Sequence, residues 1–146
     1  MLGCMREKFP LRKPSPSPRP ARVKVRRSSA GLGLYADEPI RKGRFVIEYV
    51  GRVLTSDEAD RRGGKYLFEV SSRTTLDGTP RWNTARYINH SCKPNCEAII
   101  DRGRVRIYAK RAIGTGEELA YDYGKEYVDE FIKPHGCKCA SCRPRR

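Results

Sequence analysis

Arg86-Tyr87-Ile88-Asn89-His90-Ser91-Cys92 concentrates side-chain donors and acceptors in a stretch with little apolar content to bury, so it reads as chemistry rather than packing. His90 beside Cys92 suggests a nucleophilic pair, but neighbours in sequence rarely face one another, and that reading is weak. Thirty residues on, Glu118-Leu119-Ala120-Tyr121-Asp122-Tyr123-Gly124 places two tyrosines at i and i+2, on one side of a strand or strand end. Two core tyrosines would be the plainer account. Upstream, Gly31-Leu32-Gly33-Leu34 lets backbone approach a ligand closely, although Gly-x-Gly alone is more often a simple turn.

Around these segments lie 146 residues, 38% of them hydrophobic, enough for one domain that folds without disulfides. The longest apolar runs, Phe45-Val46-Ile47 and Ile99-Ile100, fall far short of the ~20 residues that cross a bilayer. Met1-Leu2-Gly3-Cys4-Met5 is followed at once by Arg6, Glu7 and Lys8, which is not a secretory signal. The expectation is an intracellular protein without a membrane partner, in a bacterial cytoplasm or a nucleus.

The net charge of +14 is unevenly placed. Residues 1–27 hold nine Lys/Arg against one Glu, and residues 133–146 hold five Lys/Arg and no acid. The chain between them is nearly neutral. Basic ends of this kind are either solvated tails or contacts to a polyanion such as DNA, bound without reading its sequence.

Six cysteines are present: Cys4, Cys92, Cys96, Cys137, Cys139 and Cys142. Three thiols within Cys137-Lys138-Cys139-Ala140-Ser141-Cys142 are too close for an ordinary disulfide framework. A tetrahedral structural zinc is the better reading, one ligand short, with Cys92, Cys96 and His135 as candidates for the fourth. A redox pair at Cys139 and Cys142 competes, but no strand-to-helix pattern surrounds it.

Residues 10–20 alternate Pro with Ser, Arg and Lys and predict an extended, mobile stretch. Residues 1–21 are thus read as a basic flexible tail, 22–132 as the folded domain and 133–146 as a zinc segment ending in a second basic tail. Strands are predicted at 23–26, 44–50, 66–70, 96–101, 105–110 and 118–121, divided by turns at Asp77-Gly78, Arg102-Gly103 and Gly114-Thr115-Gly116. Thr55-Ser56-Asp57-Glu58 matches a capping box opening a short helix that ends near Gly63-Gly64, and residues 125–132 predict a second. Many short strands and two short helices make a mostly β fold whose loops carry the chemistry.

In the order Gly31-Leu32-Gly33-Leu34-Tyr35, Glu48-Tyr49-Val50-Gly51, Arg86 to Cys92, Glu118 to Gly124 and the cysteine cluster, the chain resembles the SET-domain protein lysine methyltransferases with a post-SET zinc motif. The resemblance runs from about residue 22 to the C-terminus. It implies a SET-domain (β-clip) fold of small sheets, with residues 86–92 and 118–124 forming a pseudoknot, an exception to the usual unthreaded topology. Two departures stand out: the last cysteines are two residues apart where four are more usual, and no cysteine-rich pre-SET region precedes the domain. The first leaves every zinc ligand in place, and the second suggests a compact bacterial, viral or otherwise minimal member.

Position by position, the resemblance implies that S-adenosylmethionine lies against the backbone of Ala30, Gly31, Leu32, Gly33 and Leu34, with Tyr66, Arg86, Asn89 and His90 completing its pocket. Tyr123 would be the catalytic tyrosine and also touch the cofactor, and Tyr121 would line the lysine pocket. Cys92 would join Cys137, Cys139 and Cys142 on one structural zinc, leaving Cys96 and His135 spare. The implied reaction moves a methyl group from S-adenosylmethionine to a lysine of a histone or another DNA-associated protein. The reading from another class is a non-catalytic nucleic-acid or chromatin binding module, against which stands the retention of Asn89, His90 and Tyr123.

Overall fold

The computed structural model describes residues 11–12 and 18–142. In chain order it runs β1 (Leu11–Arg12), β2 (Val23–Ser28), β3 (Gly31–Ala36), β4 (Phe45–Tyr49), β5 (Gly51–Thr55), α1 (Ser56–Arg62), β6 (Leu67–Ser71) and β7 (Thr74–Asp77). A 3-10 turn at Thr84–Tyr87 leads into β8 (Asn89–His90), then β9 (Cys96–Asp101), β10 (Arg104–Ala109), β11 (Ala120–Tyr121) and α2 (Lys125–Tyr127). The mostly β expectation holds, in four small sheets: an antiparallel four-stranded one ordered β1-β5-β7-β6, a three-stranded β4-β10-β9, and the pairs β2-β3 and β8-β11.

Period-two patterning explains the three-stranded sheet. Val105, Ile107 and Ala109 of β10 are buried while the residues between them are half-exposed. The strand pairs without a break against β9, from Arg104↔Asp101 to Ala109↔Cys96. Arg102 and Gly103, the expected turn, both take positive φ (52° and 77°), the backbone that a two-residue hairpin matched to strand twist requires. The helix start is also as predicted: Glu58 N–H donates to Thr55 Oγ1 and Thr55 N–H to Glu58 Oε2, both at 3.2 Å, and Gly63 N–H closes the end on Ala59 O.

The core gathers Leu34, Val46, Leu76, Ile88, Val105, Ile107 and Leu119 from four strands and the loops between them. Burying side chains of this size stabilises the fold by about 1.5–3 kcal/mol each.

Beyond the predicted strands the structure has β3, β5 and β7 and the two-residue β1 and β8. Gly31–Ala36, read as a ligand-facing loop or turn, is a full strand pairing with β2 from Val23↔Ala36 to Ser28↔Gly31. Thr74–Asp77 is the centre of another sheet, paired on one side with β5 and on the other with β6. The second helix begins at the expected Lys125 but widens into a π-type turn over Val128–Ile132 and tightens over Lys133–His135. Within the stretch assigned to the basic tail, Leu11 and Arg12 pair with Arg52 and Gly51 of β5. Most of that tail and Arg143–Arg146 lie outside the described residues.

The parallel pair β8-β11 positions everything that follows. Asn89 lies opposite Ala120 and His90 opposite Tyr121, and Ser91 N–H donates to Tyr121 O at 3.2 Å. The two motifs that the pseudoknot expectation joins are therefore side by side. Asn95, nearly fully buried, pins the second motif by donating to Glu118 O and accepting from Ala120 N–H, each at 2.9 Å. No helix among the described residues is long and apolar enough to cross a membrane.

Candidate active site and thiol cluster

Because β8 and β11 run in parallel, their side chains meet the β2-β3 turn on one side and β6 on the other, around a cleft of about 1680 Å³. Ala30, Leu32, Tyr66, Arg86, Asn89, His90, Tyr121 and Tyr123 line it. Gly31, Gly33 and Leu34 do not. Leu34 is wholly buried in the core. Gly31 has φ +108° in the turn, and a Cβ on Gly33 would collide with the Glu118 carboxylate rather than with a ligand.

Asn89 is held by its amide nitrogen, which donates to Leu32 O at 2.9 Å and to Glu118 Oε2 at 2.8 Å. Its carbonyl oxygen has no partner among the described residues and is free to accept. Arg86 lies over the Tyr66 ring, 4.2 Å from its centroid, and donates through Nη1 to Thr79 O. Among the described residues Arg86 Nε is buried without a partner, a donor left for an anion. Leu32 is a half-exposed apolar side chain beside them. Donor, acceptor and apolar surface together suit an amphipathic ligand carrying both carboxylate and ammonium groups.

An aromatic wall forms the other half of the cleft. Tyr121 and Tyr123 have ring centroids 4.9 Å apart, Tyr123 and Tyr127 4.9 Å, and Tyr127 and Phe131 4.7 Å, while Phe68 bridges Tyr121 and Tyr49. Tyr49 donates to Tyr66 O at 2.7 Å, and its ring fills the space that a side chain at Gly78 would need. The Tyr123 hydroxyl donates to Ile88 O. Burial, reinforced by neighbouring tyrosines, drives the hydroxyls of Tyr121 and Tyr123 well above the ordinary phenol range. Neither is a base near neutral pH.

The parts of this wall contributed by Tyr49, Phe68, Tyr127 and Phe131 carry no role in the sequence reading. The i,i+4 spacing of Tyr127 and Phe131 was the one local signal available.

At the far end of the cleft four sulfurs converge. One ligand atom from each of Cys92, Cys137, Cys139 and Cys142 lies within 4.8 Å of all the others, with Cys92 Sγ 3.4 Å from Cys142 Sγ and 3.9 Å from Cys137 Sγ. A tetrahedral zinc with ~2.3 Å bonds sets its sulfurs about 3.8 Å apart, so the cluster fits that ion. Three sulfurs come from the C-terminal segment and one from the residue two beyond β8. Ser29 Oγ adds a donor to Lys138 O at 3.1 Å, tying the same segment to the β2-β3 turn. Cys96 is buried in the core, its thiol pushed up to about 12 by burial, and His135 borders the cleft; neither belongs to the cluster.

Residues 31–124 match a family model described as the SET domain. The histone-lysine N-methyltransferase trithorax of Drosophila virilis is 40% identical over 128 residues, covering 80% of this chain and 3% of its own length. The histone-lysine N-methyltransferase set1 of Dictyostelium discoideum is 40% identical over 136 residues, covering 84% and 9%. A histone-lysine N-methyltransferase of Yarrowia lipolytica, named as specific for H3 lysine-4, is 41% identical over 136 residues, covering 80% and 12%. The chain thus spans a small part of the length of each of these relatives.

Proposed function

Since the chain belongs to the SET-domain family, with a C-terminal cysteine cluster that fits a post-SET motif, we propose that it methylates lysine side chains of proteins, with S-adenosylmethionine as methyl donor and a histone as substrate. The observation that carries the reading is the Tyr123 phenol, its hydroxyl fixed on Ile88 O, in the wall of an aromatic-lined cleft that also holds Asn89 and His90. Arg86 Nε and the free Asn89 oxygen would take the carboxylate and ammonium of the donor, and Leu32 its apolar part. Zinc on Cys92, Cys137, Cys139 and Cys142 would fold the C-terminal segment over the cleft.

Bound S-adenosylmethionine supplies a methyl group on a positively charged sulfur. The protein must then deliver a neutral amine in line with it. Free lysine, with a pKa of about 10.4, is almost wholly protonated at neutral pH. The rings of Tyr49, Phe68, Tyr121, Tyr123 and Tyr127 strip water from an entering ammonium, and desolvation favours loss of its proton to solvent. The lone pair of the amine then forms the N–C bond as the S–C bond breaks. Tyr123, fixed on Ile88 O, orients and stabilises the charge in transit rather than taking a proton.

Incubation with tritiated methyl donor and recombinant core histones or nucleosomes, followed by mass spectrometry, tests this reading. Label on a histone lysine is the expected result, and no label on any of these substrates overturns it. The basic ends, nine Lys/Arg in residues 1–27 and five in 133–146, are read as a non-specific contact to DNA around such a substrate. Their removal should flatten the dependence of DNA affinity on salt.

A further inference from the structure

Glu118 occupies an unusual electrostatic position. Its carboxylate accepts from Ser28 Oγ, which lies 2.8 and 2.9 Å from its two oxygens, and from Asn89 Nδ2 at 2.8 Å, while the Tyr35 hydroxyl, which donates to Arg27 O at 2.9 Å, lies 3.4 Å away. Every one of these donors is neutral. Among the described residues no Lys, Arg or His forms an ion pair with it, whereas Glu117 beside it is paired with Arg111 at 3.0 Å. Other acids at the cleft, Glu69, Glu126 and Glu130, are exposed, where water and salt screen them. Glu118 is partly sheltered, and Gly33 lacks a side chain where its carboxylate sits.

An uncompensated, sheltered negative charge lowers the energy of a cation nearby and does little for a neutral group. It stands out further because Lys65, Arg81, Arg86, Lys93 and Lys138 also border this cleft and would oppose a cation. The charge of Glu118 is felt across the site: it is among the groups that hold the Tyr123 phenol protonated, after burial and the neighbouring tyrosines. Methyl transfer moves the positive charge from sulfur to the lysine nitrogen, leaving a neutral thioether on the spent donor.

We propose that Glu118 is the specificity-determining group by which this site tells S-adenosylmethionine from S-adenosylhomocysteine, favouring the sulfonium by charge and releasing the product once that charge has left the sulfur. The proposal rests on the methyltransferase reading above. It assigns Glu118 two effects that separate experimentally: holding Asn89, which serves both ligands alike, and attracting the sulfonium, which serves only one.

Calorimetric titration of the full chain with each ligand tests it, comparing wild type, Glu118→Gln and Glu118→Asp. Glu118→Gln should weaken S-adenosylmethionine about tenfold more than S-adenosylhomocysteine, the scale of one unit charge acting across a partly screened site. Glu118→Asp, which keeps the charge, should retain most of the wild-type ratio even if both affinities fall. An analogue with a protonated amine in place of the sulfonium should follow S-adenosylmethionine. Equal weakening of both ligands by Glu118→Gln overturns the charge role and leaves the methyltransferase reading standing. Absence of binding by the wild type to either ligand overturns both.

Discussion

Tyr123 N–H donates to Nδ1 of His90 at 3.1 Å, so the imidazole carries its proton on Nε2, which lies 3.5 Å from the sulfur of Cys92. One side chain therefore links the backbone of the proposed catalytic tyrosine to the thiol cluster. With its hydroxyl on Ile88 O, Tyr123 is fixed at both ends by residues on either side of β8's first position. Tyr123→Phe removes the hydroxyl and leaves the backbone anchor. Single-turnover methyl transfer should fall by about 10²–10³, the scale for losing one positioned polar group at the reacting centre, with cofactor affinity nearly unchanged and a stability loss of about 1–3 kcal/mol from the unpaired Ile88 carbonyl. Near-normal turnover would refute the role given to Tyr123.

The thiol cluster yields a contrast between two cysteines four residues apart. Cys92→Ser removes one of four converging ligands and the atom facing His90 Nε2, so zinc content should drop and cofactor affinity with it. Cys96→Ser puts a hydroxyl into the apolar core, costing about 1–3 kcal/mol of stability, with one zinc per chain retained. Elemental analysis and thermal unfolding of both variants check this. Wild-type protein purified without chelator and found to hold no zinc would sink it.

Local signals in the sequence account for the β9-β10 hairpin, with its alternation and Arg102-Gly103 turn, and for the capping box at Thr55. They fail at β3, because glycines at 31 and 33 resemble a loop until the strand is seen to pair with β2 and to make room for Glu118. The fourth member of the thiol cluster followed from resemblance, since spacing alone left Cys92, Cys96 and His135 open. Nothing local in the sequence marks Glu118 within its motif. Its partners lie 90, 83 and 29 residues away, and only the packed fold brings Ser28, Tyr35 and Asn89 to one carboxylate. The Tyr49 and Phe68 parts of the aromatic wall are equally non-local, coming from two different sheets.

The helix cap gives a stability prediction independent of function. Thr55→Ala loses the acceptor for Glu58 N–H and one side of a reciprocal pair, costing about 1 kcal/mol. For a domain of this size the melting temperature should fall by about 3–5 °C. Cofactor binding should be unaffected, because α1 contributes no residue to the cleft. An unchanged melting temperature would mean that the cap adds nothing to what tertiary contacts already secure.

Tyr121 bears on how many methyl groups are added. Its ring is buried against Phe68 and Tyr123, and its hydroxyl has no hydrogen-bond partner among the described residues while the side chain borders the cleft. A hydroxyl so placed can hold an ordered water against the substrate amine, occupying the space that a second or third methyl group needs. The expected wild-type product is therefore mono- or dimethyllysine. Tyr121→Phe releases that water without opening the aromatic wall, so activity should persist while products shift toward higher methylation. Time-resolved mass spectrometry of a lysine peptide measures both. Trimethyllysine as the main wild-type product at long times, or an unchanged product ratio in the variant, would show that another part of the pocket sets the limit.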